Sequence, residues 1–452
     1  MYIRANKCNF AIEIRANKCN TMQRTIINQL IEWKRKSTRK PLILNGARQV
    51  GKTYILKEFG NTEYESIAYV SLDNHPEVCQ IFEQDFNVQR IIRALSALLH
   101  IHIEPDKTLI ILDEIQESPY ALNALKYFCE DAPEYHVAVA GSLLGVSLHQ
   151  GTSFPVGKVD ILKMYPMTFE EFLLAMGETG LVNLLHCQDH PTITSLSLRY
   201  IDLLRQYYYV GGMPAAVKEY IESQNLAAVR TIQKDIIFGY RRDFSKHAPS
   251  QQVPRINLVW DSIPSQLAKD NKKFIYGTLK PGGRAKEFEL AIQWLIDAGL
   301  VYRVYRASTP SVPLKFYEDL TAFKLFMLDV GLMGAMADTD TADVLINDHI
   351  FEEYKGAFTE LYVYTQLVPL ELPIYYYSAN DSRVEIDFLA QHQGHVLPIE
   401  VKAEENVHSK SLKTYIDKNP SLHGLRLSMR PFRTQSWMTN MPLYAPSCWL
   451  RK

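Results

Sequence analysis

The 452-residue chain has almost no net charge, no paired-cysteine motif and no long apolar run, and each absence closes a class of function. Forty-nine Lys and Arg stand against 50 Asp and Glu, leaving a net charge of -1. Nothing global draws the chain to nucleic acid or to an anionic membrane, so any such binding has to come from a local patch. Six cysteines, Cys8, Cys19, Cys79, Cys129, Cys187 and Cys448, are scattered without a CxxC pair, and no N-terminal apolar run has the form of a secretion signal. A reducing cytoplasm without disulfides is the expected setting. No stretch approaches the ~20 apolar residues of a membrane span. The remaining composition, 47% hydrophobic and 22% charged, is that of a soluble globular protein. Its length predicts roughly two to four domains.

The most informative stretch is Gly46-Ala47-Arg48-Gln49-Val50-Gly51-Lys52-Thr53-Tyr54, which follows the apolar run Pro41-Leu-Ile-Leu and fits the phosphate-loop pattern GxxxxGKT. The two glycines let the backbone curl so that successive N–H groups point inward, and a following helix adds the partial positive charge of its N-terminus. In such an anion nest Lys52 reaches the outer phosphates of ATP and the Thr53 hydroxyl sits on magnesium.

Two further segments complete this reading. Thr108-Leu-Ile-Ile-Leu-Asp113-Glu114 is a buried-strand run ending in two acids, a Walker B pattern in which Asp113 holds Mg2+ and Glu114 orients or deprotonates the attacking water. His136-Val-Ala-Val-Ala140 reads as a third strand, ending at Ser142, which is either a sensor of the terminal phosphate or a helix cap. Upstream, Ile3 to Asn9 recurs unchanged as Ile14 to Asn20. A duplication that short and that perfect suggests a disordered tail before a start at Met22, with metal binding by Cys8 and Cys19 as a remote alternative. A helix from Met22 precedes the first strand, and the basic run from Lys34 to Lys40 is either a solvated face or a binding patch. Tyr207-Tyr-Tyr-Val-Gly211-Gly212-Met213-Pro214 reads as a turn between helices, which behind a phosphate loop can set Pro214 against the nucleotide base.

GARQVGKT, LIILDEIQ, AGSLLG and GGMP together resemble a prokaryotic group of AAA-type P-loop ATPases with a C-terminal domain of unknown function, over about Pro41 to Lys402. The resemblance implies that the four motifs form one nucleotide site. Lys158 stands where relatives are expected to carry arginine, so the arginine finger is left open among Lys158, Arg241 and Arg242.

Beyond residue 250 the pattern changes. Short helices from Ile256, a longer helix from Phe288 to a stop at Gly299 and an alternating strand from Leu300 to Arg306 suggest a winged helix. Lys269, Lys272, Lys273, Lys280, Arg284 and Lys286 against Asp270 form the local basic patch that the whole-chain charge conceals. It suits DNA, while winged helices also serve as protein contacts or lids.

At the C-terminal end a helix at Gly356 to Tyr364, strands at Ile374, Val384 and His395, and a helix from Ser409 resemble the PD-(D/E)xK nuclease fold. In a strand Glu400 and Lys402 share a face, which the fold turns toward Asp387 on the neighbouring strand. Asp387 and Glu400, with Glu360 as a further ligand, are candidate metal ligands, and Lys402 a candidate for activating water. The alternative is a salt-bridged sheet edge.

The predicted fold class is α/β: a P-loop NTPase parallel sheet, then a helical and winged-helix region, then a restriction-endonuclease-like α/β domain. The corresponding plan is a tail (1–21), an ATPase domain (22–200), a helical lid (201–250), a winged-helix-like region (251–345), a nuclease-like domain (346–425) and an extension (426–452). Three functions fit: an ATPase switch, a nucleotide-gated DNA nuclease, and a non-enzymatic ATP-liganded module that recruits DNA, a partner protein or another copy of itself.

Overall fold

The computed structural model describes residues 22–73, 75–142, 154–269, 272–339, 352–379, 384–403, 409–446 and 450. The duplicated tail with Cys8 and Cys19, the continuation of AGSLLG beyond Ser142, and Asp270 lie outside the described residues.

Five strands, β1 (Leu42–Asn45), β2 (Ser66–Ser71), β3 (Thr108–Asp113), β4 (His136–Gly141) and β5 (Asp160–Lys163), form one parallel sheet in the order β2-β3-β4-β1-β5. The continuous apolar runs of β1, β3 and β4 are explained by burial on both faces, whereas the edge strands β2 and β5 are only partly buried. Leu42, Leu44, Leu109 and Ile111 pack on one side with α1 (Ile26–Arg35) and α2 (Lys52–Glu63). Ile43, Ile110 and Leu112 pack on the other with α3 (Pro76–Gln84), α4 (Val88–Leu99) and α5 (Pro119–Asp131), as the period-two alternation of a strand demands. Because β4 lies between β1 and β3, the ends of all three strands, Asn45, Gly141 and Asp113, open on the same edge.

A helical section follows: α6 (Phe169–Ala175), α7 (Thr179–Cys187), α8 (His190–Ser195), α9 (Ser197–Val210), α10 (Pro214–Ser223), α11 (Leu226–His247) and α12 (Val253–Leu267). Thr168 and Glu171 close a capping box at the start of α6. The tyrosines of α9 are core residues: Tyr207 is buried and its hydroxyl donates to the Met167 carbonyl at 2.5 Å.

The last layer is an eight-stranded mixed sheet. α13 (Ala285–Asp297) leads into the hairpin β6 (Val301–Ala307) and β7 (Glu318–Met327), and α14 (Val330–Met336) follows. After α15 (Glu352–Leu367), strands β8 (Ile374–Ser378), β9 (Glu385–His392) and β10 (His395–Val401) form an antiparallel meander. α16 (Lys410–Lys418) then crosses to β11 (Gly424–Ser428), parallel to β10, and β12 (Arg433–Thr434) and β13 (Met438–Pro442) finish the order β12-β13-β11-β10-β9-β8-β6-β7.

Two features depart from the linear plan. The β6–β7 hairpin does not stand apart as a wing: β6 pairs with β8 at Arg306 and Tyr376, so a boundary at 345 cuts through one sheet. A boundary at 425 likewise divides β11, and the presumed extension supplies two of the sheet's strands. Local periodicity identifies a strand but not its partner, and the pairing of β6 with β8 joins Arg306 to Tyr376 across β7, α14 and α15.

Candidate nucleotide site and carboxylate cluster

The loop between β1 and α2 has the curled backbone its glycines imply. Gln49 and Gly51 take left-handed angles, φ 67° and 96°, and α2 begins at Lys52. A side chain at Gly46 would stand 2.2 Å from the Met164 carbonyl oxygen, so only glycine fits beside β5. The Lys52 ammonium is buried and donates to the carbonyls of Gly46 and Ala47, each at 2.8 Å. Burial pushes its pKa down to about 8; Glu114 and Asp113 oppose this and Arg48 adds to it.

The strand-end acids are held by neutral donors. The Thr53 hydroxyl donates to Asp113 Oδ2 at 2.7 Å and Tyr69 to the same oxygen at 3.1 Å. Glu114, in a left-handed backbone conformation (φ 52°), accepts from Gln116 Nε2 at 2.5 Å and from the Ser142 hydroxyl at 3.3 Å. Thus Lys52, Thr53, Asp113, Glu114 and Ser142 meet at one sheet edge. A buried carboxylate oxygen beside a hydroxyl is a donor set that suits Mg2+.

The loop is also tied to the helices. Arg48 forms an ion pair with Asp243 of α11, and its carbonyl accepts from the Tyr240 hydroxyl at 2.9 Å. The Val50 carbonyl accepts from Arg24 at 2.9 Å, while Tyr54 is half exposed on α2. Pro214 opens α10, and a Cβ built on Gly51 would lie 3.6 Å from its Cγ, so the GGMP turn does reach the loop. That turn is clamped by Asp329, whose Oδ2 accepts from the Gly212 N–H at 2.6 Å and whose Oδ1 accepts from Leu332 at 2.9 Å. Gly211 (φ 73°) has no room for a side chain, since a Cβ would stand 2.3 Å from Asp329 Oδ1. Burial raises the Asp329 pKa to about 6 despite hydrogen bonds from Gly212, Leu332 and Gly331.

None of the three finger candidates touches the loop of its own chain. Lys158 pairs with Glu130 at 2.7 Å beside the N-terminal end of β5, the edge opposite the loop. Arg241 pairs with Asp261 at 2.6 Å, and Arg242 lies over the Phe238 ring at 5.7 Å.

The C-terminal acids also gather, with partners the sequence does not announce. Glu400 and Lys402 pair at 2.9 Å, and Asp387 Oδ2 accepts from the Val401 N–H at 2.7 Å. Glu360 of α15 forms an ion pair with Lys272, and its Oε2 lies 3.5 Å from Lys324, which also pairs with Glu385 at 2.7 Å. Burial would raise the Glu360 pKa, but Lys272 and Lys324 hold it below the usual range. Burial and the neighbouring Glu360 charge push Asp387 up instead, so the negative charge of that pair rests on Glu360. For Lys402, burial lowers the pKa, but Glu400 together with Asp387 and Glu360 raises it above the ordinary value. Glu400 Oε2 is buried without a hydrogen bond, while Glu360 Oε2 already faces the Lys324 ammonium at 3.5 Å. Among the described residues no three His, Cys, Asp or Glu side chains converge to hold a metal ion.

The basic patch is thereby reduced. Lys272 points inward, Lys269 donates to Thr278 at 2.6 Å and Lys280 pairs with Glu287 at 2.7 Å. Lys273, Arg284 and Lys286 stay exposed.

Among known families, residues 38–173 match the AAA domain model, and residues 201–343 and 355–444 match two domains of unknown function, DUF8612 and DUF4143. No curated protein sequence gives a significant match. Of solved structures, the chain is similar to the Walker-type ATPase PABY2304 of Pyrococcus abyssi, with 14% identity over 70% of this chain and 96% of that one and a TM-score of 0.44. It is also similar to the Aeropyrum pernix ORC1 protein in complex with DNA, with 14% identity over 69% and 91% of the two chains and a TM-score of 0.28. No described helix is long and apolar enough to cross a membrane. The phosphate loop, the strand-end acids on one parallel sheet and the family match together make residues 38–173 an AAA-type P-loop ATP-binding domain.

Proposed function

We propose that the chain is a magnesium-dependent ATPase whose nucleotide cycle moves the middle helices against a restriction-endonuclease-like C-terminal domain that associates with DNA. The observation that carries this reading is the contact of Thr53 with Asp113 at 2.7 Å, with Glu114 held beside Ser142 at the next strand end. Thr53 and Asp113 would hold Mg2+, which neutralises phosphate charge when bound. Lys52 binds the outer phosphates, and Pro214 lies against the base. Glu114 takes the proton of the attacking water, while Gln116 and Ser142 keep its carboxylate oriented. Arg48, locked to α11 through Asp243, transmits movement of the loop to the helical section. A cavity of about 470 Å³ between Gly46, Gly299, Arg303 and Tyr364 leaves room for the loop to shift against the second sheet.

The helix, three strands, helix and strand order of α15 to β11 supports the endonuclease-like assignment, with Asp387 and Glu400 as its acids, Lys402 as the cation that helps activate water or stabilises the developing charge, and Glu360 as a further metal ligand. α12, α13 and the β6–β7 hairpin support a winged-helix-like contact with DNA through Lys273, Arg284 and Lys286. Since Arg241 and Arg242 face outward, an arginine finger would be supplied to a second copy.

ATPase rates with and without DNA test this. Lys52→Ala is expected to abolish binding of labelled ATP, and Glu114→Gln to retain binding while turnover falls roughly 10²–10⁴-fold. Undiminished turnover in Glu114→Gln removes the assigned base; equal rates with and without DNA remove the coupling.

A further inference from the structure

We propose that Tyr69 is a positioning residue of the metal site at the phosphate loop, an inference that rests on the reading of Thr53 and Asp113 as the residues that hold Mg2+. Its phenol, supported by Lys57, fixes which oxygen of Asp113 the ion meets. The placement follows from two periodicities. Along β2, Tyr69 stands opposite Ile111 and Ser71 opposite Asp113, so Tyr69 and Asp113 share the face of the sheet on which α2 packs. Along α2, Thr53 and Lys57 are one turn apart and lie on one side of the helix. The result is a chain of four side chains. Lys57 Nζ lies 3.4 Å from the centre of the Tyr69 ring, and the Tyr69 and Thr53 hydroxyls both donate to Asp113 Oδ2, at 3.1 and 2.7 Å.

The acceptor count explains why this matters. A carboxylate offers about four acceptor positions, two on each oxygen. On Asp113, Oδ2 has both taken by hydroxyls, and Oδ1 accepts one bond, from the Glu114 N–H at 3.1 Å. The position left over is on Oδ1, and there an incoming ion or one of its waters is received. Without the phenol, Oδ2 regains a free position, the carboxylate can turn, and the metal no longer meets one defined oxygen. Thr53 cannot take over this task, because its own oxygen is a metal ligand in this reading and its hydrogen is already given to Oδ2. Asp113 is buried, a setting in which each of these bonds is stronger than in water. Lys57 acts on Tyr69 rather than on Asp113. Among the described residues its ammonium makes no ion pair and instead faces the ring, where a cation draws electron density from the phenol and makes its hydroxyl a stronger donor.

The test is a Mn2+ titration of the full chain already loaded with ADP, followed by electron paramagnetic resonance, with ADP binding in EDTA measured alongside. Tyr69→Phe keeps the ring and removes only the hydroxyl. It is expected to weaken Mn2+ roughly tenfold or more, the usual effect of losing a group that orients a metal ligand, while ADP binding in EDTA stays at the wild-type level. Lys57→Met should weaken Mn2+ in the same direction by about twofold to fivefold. A lysine that merely repelled the metal would give the opposite sign, and tighter Mn2+ binding in Lys57→Met removes its supporting role. If ADP-loaded wild type has a Mn2+ site that Thr53→Val abolishes and Tyr69→Phe leaves unchanged, the magnesium reading stands and the role of Tyr69 is wrong. Loss of ADP binding in EDTA by Tyr69→Phe makes Tyr69 a structural support of the loop and likewise overturns the assignment. If ADP-loaded wild type shows no Thr53-dependent Mn2+ site, the magnesium reading falls and Tyr69 with it.

Discussion

The molecule contains two sites built from strand-end carboxylates and lysines, and they handle charge in opposite ways. At the phosphate loop, Lys52 is held by backbone carbonyls, while Asp113 and Glu114 are held by hydroxyls and an amide. Opposite charges are kept apart, each stabilised by neutral dipoles and free to meet an incoming phosphate or cation. In the second sheet, Glu360, Glu385 and Glu400 are paired directly with Lys272, Lys324 and Lys402. The first arrangement leaves its charge available for a ligand; the second neutralises its charge internally.

Removing one lysine from each site should separate them most strongly. Lys324→Met leaves the partly exposed Glu385 without its lysine and the buried Glu360 with Lys272 alone, and losing one partner of a buried ion pair costs about 3–5 kcal/mol. Urea unfolding of the full chain should show that loss, whereas Lys52→Met should cost little or nothing, because burial already opposes its charge. Equal losses in the two variants would erase the distinction.

The next effect lies in the clamp between the sites. Asp329 has a folded-state pKa of about 6 against an ordinary value of 3.8, so between these pH values the folded protein binds more protons than the unfolded one. Its contribution to stability is therefore fully present below pH 3.8 and is lost as pH rises toward 6, at up to about 1.4 kcal/mol per pH unit. Asp329→Asn should flatten that slope and also cost about 1–3 kcal/mol, since the amide presents a donor where one of the Gly212 and Leu332 N–H groups needs an acceptor. Parallel stability–pH curves for the two proteins would show that Asp329 does not titrate in this window.

The same contrast explains what the sequence made legible. The phosphate loop and the Asp113-Glu114 strand end are contiguous motifs whose chemistry is set by backbone geometry within a few residues, and they could be read directly. Glu400 and Lys402 were legible as a pair because a strand puts residues two apart on one face. Lys272 and Lys324, which neutralise Glu360, belong to segments 88 and 36 residues away from it, and no local pattern marks them. Lys272 even suggested the wrong role, as part of a surface patch. Asp329 carried one faint signal, an acid between a strand and a helix, which marks a helix cap but not a clamp on Gly212. The hairpin β6–β7 was visible in part as alternation, and its pairing with β8 was not, since register is decided by the sheet it joins.

The smallest predicted effect probes the phosphate loop itself. With a pKa of about 8, the Lys52 ammonium is about half deprotonated at pH 8 in the free protein. ATP phosphates placed beside it favour the charged form, so binding should take up about half a proton at pH 8 and about a tenth at pH 7. Isothermal titration calorimetry in two buffers of different ionisation enthalpy measures this uptake as a difference in observed heat. Lys52→Arg, which keeps the charge without titrating in this range, should show none. An uptake that grows from pH 7 to pH 8 means that neutral dipoles alone cannot hold the lysine fully charged and that the ligand completes the site. No uptake at pH 8 means that Asp113 and Glu114 already hold Lys52 charged, and the two sites then differ in geometry but not in how they balance their charges.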